Sequence, residues 1–355
     1  MNTSIKPGKT WLDTDGNRIQ AHGGSLIQVG KTFYWYGENK EKTTGDDKIW
    51  HWGVRCYSST DLYNWKSEGI IIPPELEDRS SPLHPERMMD RPHIVYNEKE
   101  HQYVAWLKIM GEPPCFAVLK AQDILGPYEM VSPCVNPCGM AVGDFDIAVS
   151  EEDKKAYLFS ERPHTSLYCA DLNSSYTRDT GYYSEHFPNS GPPLTREAPA
   201  HFYRKGLHYL ITSGTTGYHP NPSITAVSKL WHGPYEIQGN THPYDHSLTS
   251  YNSQISSVFR YPGKKDLYIA LADRWFPDLP EREGTDFYTG EAYRQTEKRF
   301  RQIFNPESAI AFNPEDAREM FINSSKSDYV WLPLQFNGNH AFIEWKDEWR
   351  TEDFE

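Results

Sequence analysis

The sequence has 355 residues, a formal net charge of −13 and a pI of about 5.5, and 37% of its residues are hydrophobic. This length suffices for one large or two ordinary domains with a hydrophobic core. The negative charge argues against a nucleic-acid partner, because binding to a phosphate backbone requires a basic face.

The segment from Met1 to Lys9 has no apolar stretch of the signal-peptide type, and no run of about eighteen apolar residues occurs in the sequence. We therefore expect no membrane span, no export and a cytoplasmic location. An odd number of cysteines without tight metal-binding spacing favours reduced, structural thiols. A zinc pair at Cys134 and Cys138 is an alternative, but no second Cys/His pair lies close in sequence to complete it.

Helical periodicity is almost absent before residue 280, where short runs of aromatic and β-branched residues alternate with Gly, Asn, Asp or Lys turns. This pattern predicts hairpins over residues 25–36, 54–72, 94–107, 146–160, 202–212 and 255–272, with further strands at 329–336 and 341–345.

Three similar turn segments follow these hairpins, at Ser59–Trp65, Leu125–Glu129 and His232–Glu236. We interpret them as equivalent turns of a repeated sheet. Five units of four strands, each about sixty residues long, predict an all-β fold, a five-bladed β-propeller. A large β-sandwich is the alternative, but it is not expected to repeat a turn in this way.

The segment from about residue 280 to 327 breaks the pattern. It contains two charged, helix-compatible stretches, Gly290–Arg301 and Pro314–Met320. We interpret it as a partly helical insertion in the last blade of a single domain spanning residues 1–355. The residues before Asp13 or the final strand must then close the ring, since an open seam would expose strand edges.

The first strands of all blades line the central channel of a propeller, so polar residues at their starts should converge at one mouth. Clustered, partly buried carboxylates raise one another's pKa, as catalytic acids require, and their burial is costly for stability alone. The predicted site comprises Gln20, His22, Glu38, Asp90, Arg91, Asp144, Asp146, Glu197 and Gln254.

Several motifs together resemble glycoside hydrolase family 43: Trp11–Gly24, Phe33–Lys40, Cys56–Trp65, Asp90-Arg91-Pro92, Glu197-Ala198-Pro199 and Asp328–Leu334. The branch most similar contains exo-β-1,3-galactanases and related galactofuranosidases and arabinofuranosidases. The resemblance covers nearly the whole chain except the insertion. It implies a five-bladed propeller that hydrolyses a terminal glycosidic bond with inversion.

The resemblance also implies roles for individual residues. Glu197 matches the general acid, and Asp144, rather than Asp146, matches the aspartate that orients the acid and tunes its pKa. Most of the family carries its base as an Asp after a His near the first strand, but here Gly23 follows the His. The similar branch implies Gln254 in that role. Because an amide is a poor base, Asp90 is the rival for holding the water.

The other channel residues are predicted to contact substrate. Gln20, His22 and Glu38 would bind sugar hydroxyls, Trp106 and Tyr36 would offer stacking faces, and Asp146 and Arg91 would line the same site. No cofactor is expected to be required, although the resemblance makes His22 a candidate ligand for a structural calcium.

The predicted function is an inverting exo-glycosidase that acts on galactose- or arabinose-containing oligosaccharides. One alternative is a non-catalytic carbohydrate-binding propeller, which the missing base favours. The other is a propeller glycoside phosphorylase, which would need cations around a phosphate, with Arg91, Arg196 and Arg274 as candidates.

Overall fold

The strands form five antiparallel sheets of consecutive strands, which confirms the predicted five-bladed β-propeller. The protein is described by a computed structural model that covers residues 1–45, 48–189, 191–304 and 322–355. The inner strands β1, β5, β9, β13 and β17 each contact the inner strand of the next blade, and β17 contacts β1. The five inner strands therefore surround a common axis.

The blades follow one another in chain order. Blade one contains β1 (His22–Val29), β2 (Thr32–Glu38), β3 (Val54–Ser59) and β4 (Lys66–Ile72). Blade two contains β5 (Met88–Asn97), β6 (Gln102–Met110), β7 (Cys115–Ala121) and β8 (Glu129–Val135). Blade three contains β9 (Phe145–Val149), β10 (Ala156–Arg162), β11 (Ser166–Leu172) and β12 (Asp179–His186).

Blade four contains β13 (Arg196–Arg204), β14 (Leu207–Gly214), β15 (Ile224–Ser228) and β16 (Glu236–Asn240). Blade five contains β17 (Gln254–Arg260), β18 (Tyr268–Arg274), β19 (Asp328–Tyr329), β20 (Leu332–Asn337) and β21 (His340–Ile343). Short 3₁₀ turns lie at Pro137–Gly139, Ser324–Lys326 and Thr351–Asp353.

The hydrophobic core lies between neighbouring blades. One apolar cluster fills each of the five interfaces, and the cluster between blades five and one includes Trp35, Trp65, Trp331 and Trp349. Blades are therefore packed on both faces, which accounts for strands that are apolar almost throughout rather than alternating.

The chain ends meet beside the last blade. The amide of Ile5 donates to the carbonyl of Trp349 at 2.9 Å, and the amide of Trp349 donates back to the carbonyl of Ile5 at 3.0 Å. Both side chains are buried in the cluster between blades five and one. The N-terminal segment thus covers an edge at which the first and last blades meet.

The insertion begins after β18 and contains α1 (Leu279–Glu283), α2 (Thr285–Thr289) and α3 (Glu291–Ile303). The predicted helical stretch at Gly290–Arg301 is therefore confirmed by α3, whereas the stretch at Pro314–Met320 lies outside the described residues. Among the described helices, none combines the length and apolar content that a bilayer crossing requires.

The expectation of reduced thiols is wrong for two cysteines. Cys115 and Cys134 form a disulfide between β7 and β8, while Cys56, Cys138 and Cys169 are free. The zinc pair is also wrong, because Cys134 is bonded to Cys115 and not available to a metal. Neighbouring strands bring the two sulfurs together, which the linear spacing does not reveal.

Candidate active site

A similar backbone irregularity occurs at the start of three inner strands. The strand register shifts between His22 and Ser25, between Asp90 and His93, and between Glu197 and Ala200. The second residue of each unit has a positive φ, namely +59° for Gly23, +47° for Arg91 and +48° for Ala198. Bulges of this kind redirect side chains, and non-glycine residues in the left-handed region are concentrated at functional sites.

In each blade, the site residue at the start of the inner strand lies opposite a residue near the end of the second strand. The Cα pairs are His22 with Glu38, Asp90 with Lys108, Glu197 with Ser213, and Gln254 with Asp273. In blade three, the amide of Glu161 donates to the carbonyl of Asp144 at 2.8 Å. Reasoning from strand starts alone missed Lys108, Glu161, Ser213 and Asp273, which the hairpin register would have identified.

Arg91 connects four blades. Its Nε lies 2.8 Å from Oδ2 of Asp144, its Nη2 donates to Oε1 of Gln254 at 2.5 Å, and its amide donates to Oε1 of Glu38 at 2.8 Å. The side chain is buried. The predicted site residues of blades one, two, three and five are therefore in direct contact.

Lys108 is a second buried cation, lying 2.7 Å from Oδ1 of Asp144 and 3.2 Å from Oδ2 of Asp90. Burial alone would raise the pKa of Asp144, but the charges of Arg91 and Lys108 outweigh it and lower this pKa to about 2. The pKa of Asp90 is also lowered, because Lys108, Lys40 and the Trp50 indole oppose its burial. Both aspartates are therefore ionised at neutral pH.

The surroundings of Glu197 raise the pKa of its carboxyl, unlike those of Asp90 and Asp144. Burial raises the pKa of its carboxyl well above the usual value, and the charges of Asp144 and Glu161 add to this more than Arg91 and Lys108 subtract. The side chain remains partly exposed at the channel mouth. A raised pKa favours the protonated carboxyl, which is the form that can donate a proton to a bound molecule.

Gln254 lies directly beside Glu197. Its Nε2 donates to Oε1 of Glu197 at 3.1 Å and to Oγ of Ser213 at 3.0 Å. Its Oε1 accepts from Nη2 of Arg91 and, at 3.2 Å, from Nε1 of Trp275. Both lone pairs of the amide oxygen therefore have donors.

His22, Gln20 and Glu38 lie beneath the accessible surface rather than at it. Nδ1 of His22, which is 0% exposed, lies 3.1 Å from Oδ1 of Asp273, and its Nε2 lies 3.1 Å from Oε1 of Gln20. Burial lowers the pKa of His22 and raises that of Glu38 to about 7. These side chains hold other residues of the site, and direct binding of sugar hydroxyls by them stays a prediction.

The calcium role suggested for His22 stays a prediction; each of its ring nitrogens lies 3.1 Å from a side-chain oxygen in this structure. Within the described ranges, no group of three or more His, Cys, Asp or Glu side chains is arranged to hold a metal ion.

Three predicted substrate contacts lie in interfaces between blades instead. Trp106 is 0% exposed and its indole donates to the carbonyl of Tyr176 at 2.8 Å, while the hydroxyl of Tyr36 bonds to the backbone of Ile94. Asp146 accepts from the amide of His201 at 2.7 Å, joining blades three and four. The expected stacking faces and the contact by Asp146 are therefore wrong, because these side chains pack against the next blade.

Other aromatic residues surround the mouth. The ring centroids of Trp50 and Tyr218 lie 6.4 Å apart, and those of Tyr218 and Trp275 lie 5.2 Å apart. The Trp50 indole donates to Oδ1 of Asp90 at 2.6 Å. Trp275 and Tyr218 also pack with α1 and α2 through Leu279 and Phe287, so the insertion supports one side of the mouth.

Taken together, these features define a five-bladed propeller whose channel mouth combines carboxylates held ionised by buried cations with a carboxyl, that of Glu197, whose pKa is raised. The family model described as glycosyl hydrolases family 43 matches residues 19–279. The chain therefore belongs to this family.

Solved structures support the same assignment. A β-1,3-galactosidase of family 43 is 28% identical with a TM-score of 0.78, covering 100% of this chain and 65% of that chain. A second β-1,3-galactosidase, solved with galactodeoxynojirimycin, is 27% identical with a TM-score of 0.76, covering 98% of this chain and 100% of that chain. An exo-β-1,3-galactanase from Phanerochaete chrysosporium, solved with galactose, is 25% identical with a TM-score of 0.74, covering 98% of this chain and 68% of that chain.

A curated Escherichia coli (strain K12) protein named as a candidate β-xylosidase is 28% identical in an alignment of 225 residues; the match covers 57% of this chain and 38% of that protein. The chain thus spans well under half of this relative and 65% of the first galactosidase.

Proposed function

We propose that this protein is an exo-acting, inverting glycoside hydrolase that removes terminal galactose-type residues from oligosaccharides. The observation that carries the proposal is Glu197, a carboxyl whose pKa is raised by burial, at a mouth where buried cations hold Asp90 and Asp144 ionised. The names of the similar solved structures favour a β-1,3-linked galactose over an arabinose-type residue.

In the proposed reaction, Glu197 protonates the glycosidic oxygen while the bond between this oxygen and the anomeric carbon breaks. Asp144 stays ionised between Arg91 and Lys108, and its charge favours the protonated form of Glu197. A water attacks the opposite face of the sugar and loses its proton to a base.

We assign the base role to Asp90 rather than Gln254. The acid and base of an inverting glycosidase stand roughly 6.5–9.5 Å apart, yet the Gln254 amide nitrogen lies 3.1 Å from the Glu197 carboxyl. The Gln254 oxygen is also saturated by two donors. Among the described residues, Trp50 contacts one Asp90 oxygen and Lys108 the other, which leaves a lone pair on each oxygen for water.

Phosphorolysis is not favoured by the positions of the three candidate arginines. The guanidinium of Arg274 bonds to the carbonyls of Tyr251 and Asn252, that of Arg196 bonds to Thr212, and Arg91 is paired with Asp144. These cations do not converge on a common anion position. The cytoplasmic location and the lack of a required cofactor stay predictions.

The test incubates the protein with β-1,3-galactobiose and with the nitrophenyl β-galactoside, galactofuranoside and arabinofuranoside, with and without inorganic phosphate. We expect phosphate-independent release of galactose, with the α-anomer appearing first by NMR. No release from any substrate would favour the carbohydrate-binding propeller, and release only with phosphate would overturn hydrolysis.

Variants test the assigned roles. Glu197→Gln should lower kcat on galactobiose by about 10²–10⁴-fold and affect nitrophenyl substrates less, because a good leaving group needs little protonation. Glu185→Gln, an exposed glutamate of blade three, is the matched control. Azide should rescue Asp90→Gly with an inverted glycosyl azide; rescue of Gln254→Gly alone would overturn the base assignment.

A further inference from the structure

We propose that Glu161 is a positioning residue that keeps Glu197 in its protonated, proton-donating form. The proposal rests on the proposed role of Glu197 as general acid. Glu161 lies at the end of β10, outside the set of residues found at strand starts.

The backbone places Glu161 at the channel mouth. Its amide donates to the carbonyl of Asp144 at 2.8 Å, and its carbonyl accepts from the amide of Gly143 at 2.9 Å. Glu161 is thus the blade-three counterpart of Glu38, Lys108, Ser213 and Asp273, each of which contacts another residue of the site.

Gly143 makes room for the Glu161 carboxylate. A Cβ atom at position 143 would lie 2.1 Å from Oε2 and 2.8 Å from Cδ of Glu161. Gly143 is not among the residues with a positive φ, so its backbone does not require glycine. The Glu161 carboxylate therefore occupies the space beside Asp144 that a side chain at position 143 would otherwise fill.

The charge of Glu161 is less compensated than that of Asp144. Asp144 contacts both Arg91 and Lys108, whereas no Lys or Arg side chain of the described ranges lies within 4.0 Å of the Glu161 carboxylate. Its Oε1 accepts only a backbone amide, that of His164, at 3.1 Å.

Burial, followed by the Asp144 charge, raises the pKa of Glu161 to about 7. The titratable groups that act on Glu197 are Asp144, Glu161, Arg91 and Lys108, and Glu197 in turn faces Arg196. Since the two cations are already paired with Asp144, a negative charge on Glu161 directly disfavours ionisation of Glu197. The two glutamates then lose their protons in coupled steps, the later of which leaves Glu197 ionised.

The experiment compares the parent with Glu161→Gln, Glu161→Asp and the control Glu185→Gln. In Glu161→Gln the alkaline limb of the kcat/KM profile on galactobiose should move to lower pH by about one unit, because a neighbouring negative charge has been removed. Glu161→Asp keeps the charge and should restore at least half of this shift. Glu185→Gln should leave the limb unchanged.

A second readout does not depend on turnover. The glutamate side-chain carboxyls are labelled with ¹³C, and the titration of Glu197 is followed by NMR in the parent and the variants. We expect biphasic, mutually dependent curves for Glu161 and Glu197 in the parent and a lowered midpoint for Glu197 in Glu161→Gln. If the parent hydrolyses no substrate, the proposed function fails, but this titration still tests the coupling.

The proposal is overturned if folded Glu161→Gln keeps both the Glu197 midpoint and the alkaline limb within about 0.2 pH units of the parent. Should Glu161→Gln fail to fold, the parent titration decides, since two independent single-step curves would equally overturn it.

Discussion

Lys108 is the residue whose removal should disturb the site most informatively. The substitution Lys108→Met keeps most of the aliphatic stem but removes the charge that lies between Asp90 and Asp144. Both carboxylates are buried, and breaking a buried ion pair by removing one partner costs about 3–5 kcal/mol. Arg91 still neutralises Asp144 in the variant. We therefore expect the free energy of unfolding to fall by about 3 kcal/mol at neutral pH, near the lower end of that range.

The pKa of Asp144 gives this loss a pH dependence. Folding lowers that pKa from 3.8 to about 2, a difference worth roughly 2 kcal/mol of stability. This contribution is present above pH 3.8 and disappears as the pH falls towards about 2. Without Lys108 the folded-state pKa of both aspartates rises, so they take up protons at higher pH and relieve the unpaired charge. The free energies of unfolding of the parent and the variant should therefore differ most at neutral pH and less at acidic pH.

Urea unfolding at about pH 7 and about pH 4.5 measures the difference. Lys154→Met is the matched control, because its salt bridge to Glu98 is partly exposed to solvent on both sides and should contribute at most about 1 kcal/mol. A loss no greater than that of the control, or a parent–variant difference that is equal at the two pH values, would refute the assigned charge balance.

Three further predictions concern packing and covalent structure. Gly24→Ala should lower the melting temperature sharply, because its Cβ would lie 1.8 Å from the Tyr36 carbonyl oxygen, whereas Gly30→Ala, with open space around it, should cost only about 1 kcal/mol. Trp106→Ala should destabilise the fold by about 3–5 kcal/mol in denaturant titrations. Trp50→Ala should chiefly lower kcat/KM. The reverse pattern would indicate that Trp106 contacts the sugar. Non-reducing peptide mapping should find Cys115 linked to Cys134, and two free thiols at these positions would contradict the disulfide.

Repetition is the part of the fold that sequence reasoning captured. The hairpin pattern and the recurring turn predicted five blades, and convergence of inner strands predicted that Asp90, Asp144, Glu197 and Gln254 belong to one mouth. Arg91 indeed contacts Asp144 and Gln254, although the latter lies 163 positions away. Which residues pair across the channel could not be predicted, because this depends on the tilt of strands in different blades rather than on any local pattern.

The errors have a common physical cause. Trp106 and Lys108 lie on the same face of β6, two residues apart, yet Lys108 reaches the mouth and Trp106 fills the interface between blades two and three. In a propeller both faces of a strand are packed, so alternation does not distinguish channel from core. The position of a residue along its strand decides whether its side chain lies in the channel or in the core. Only the strand register gives that position.

The absence of an Asp after His22 is built into the packing of the first blade. A Cβ at Gly23 would lie 2.5 Å from Oε1 of Glu38, so a side chain there would have to displace the Glu38 carboxylate. Glu38, held by the Arg91 amide and Lys40, occupies the space that an aspartate would need. With Glu38 in this place, the proposed base lies in another blade, and both Asp90 and Gln254 occupy strand starts equivalent to that of His22. The proposed choice of Asp90 over Gln254 therefore rests on the hydrogen-bond partners of these two side chains and not on the first blade.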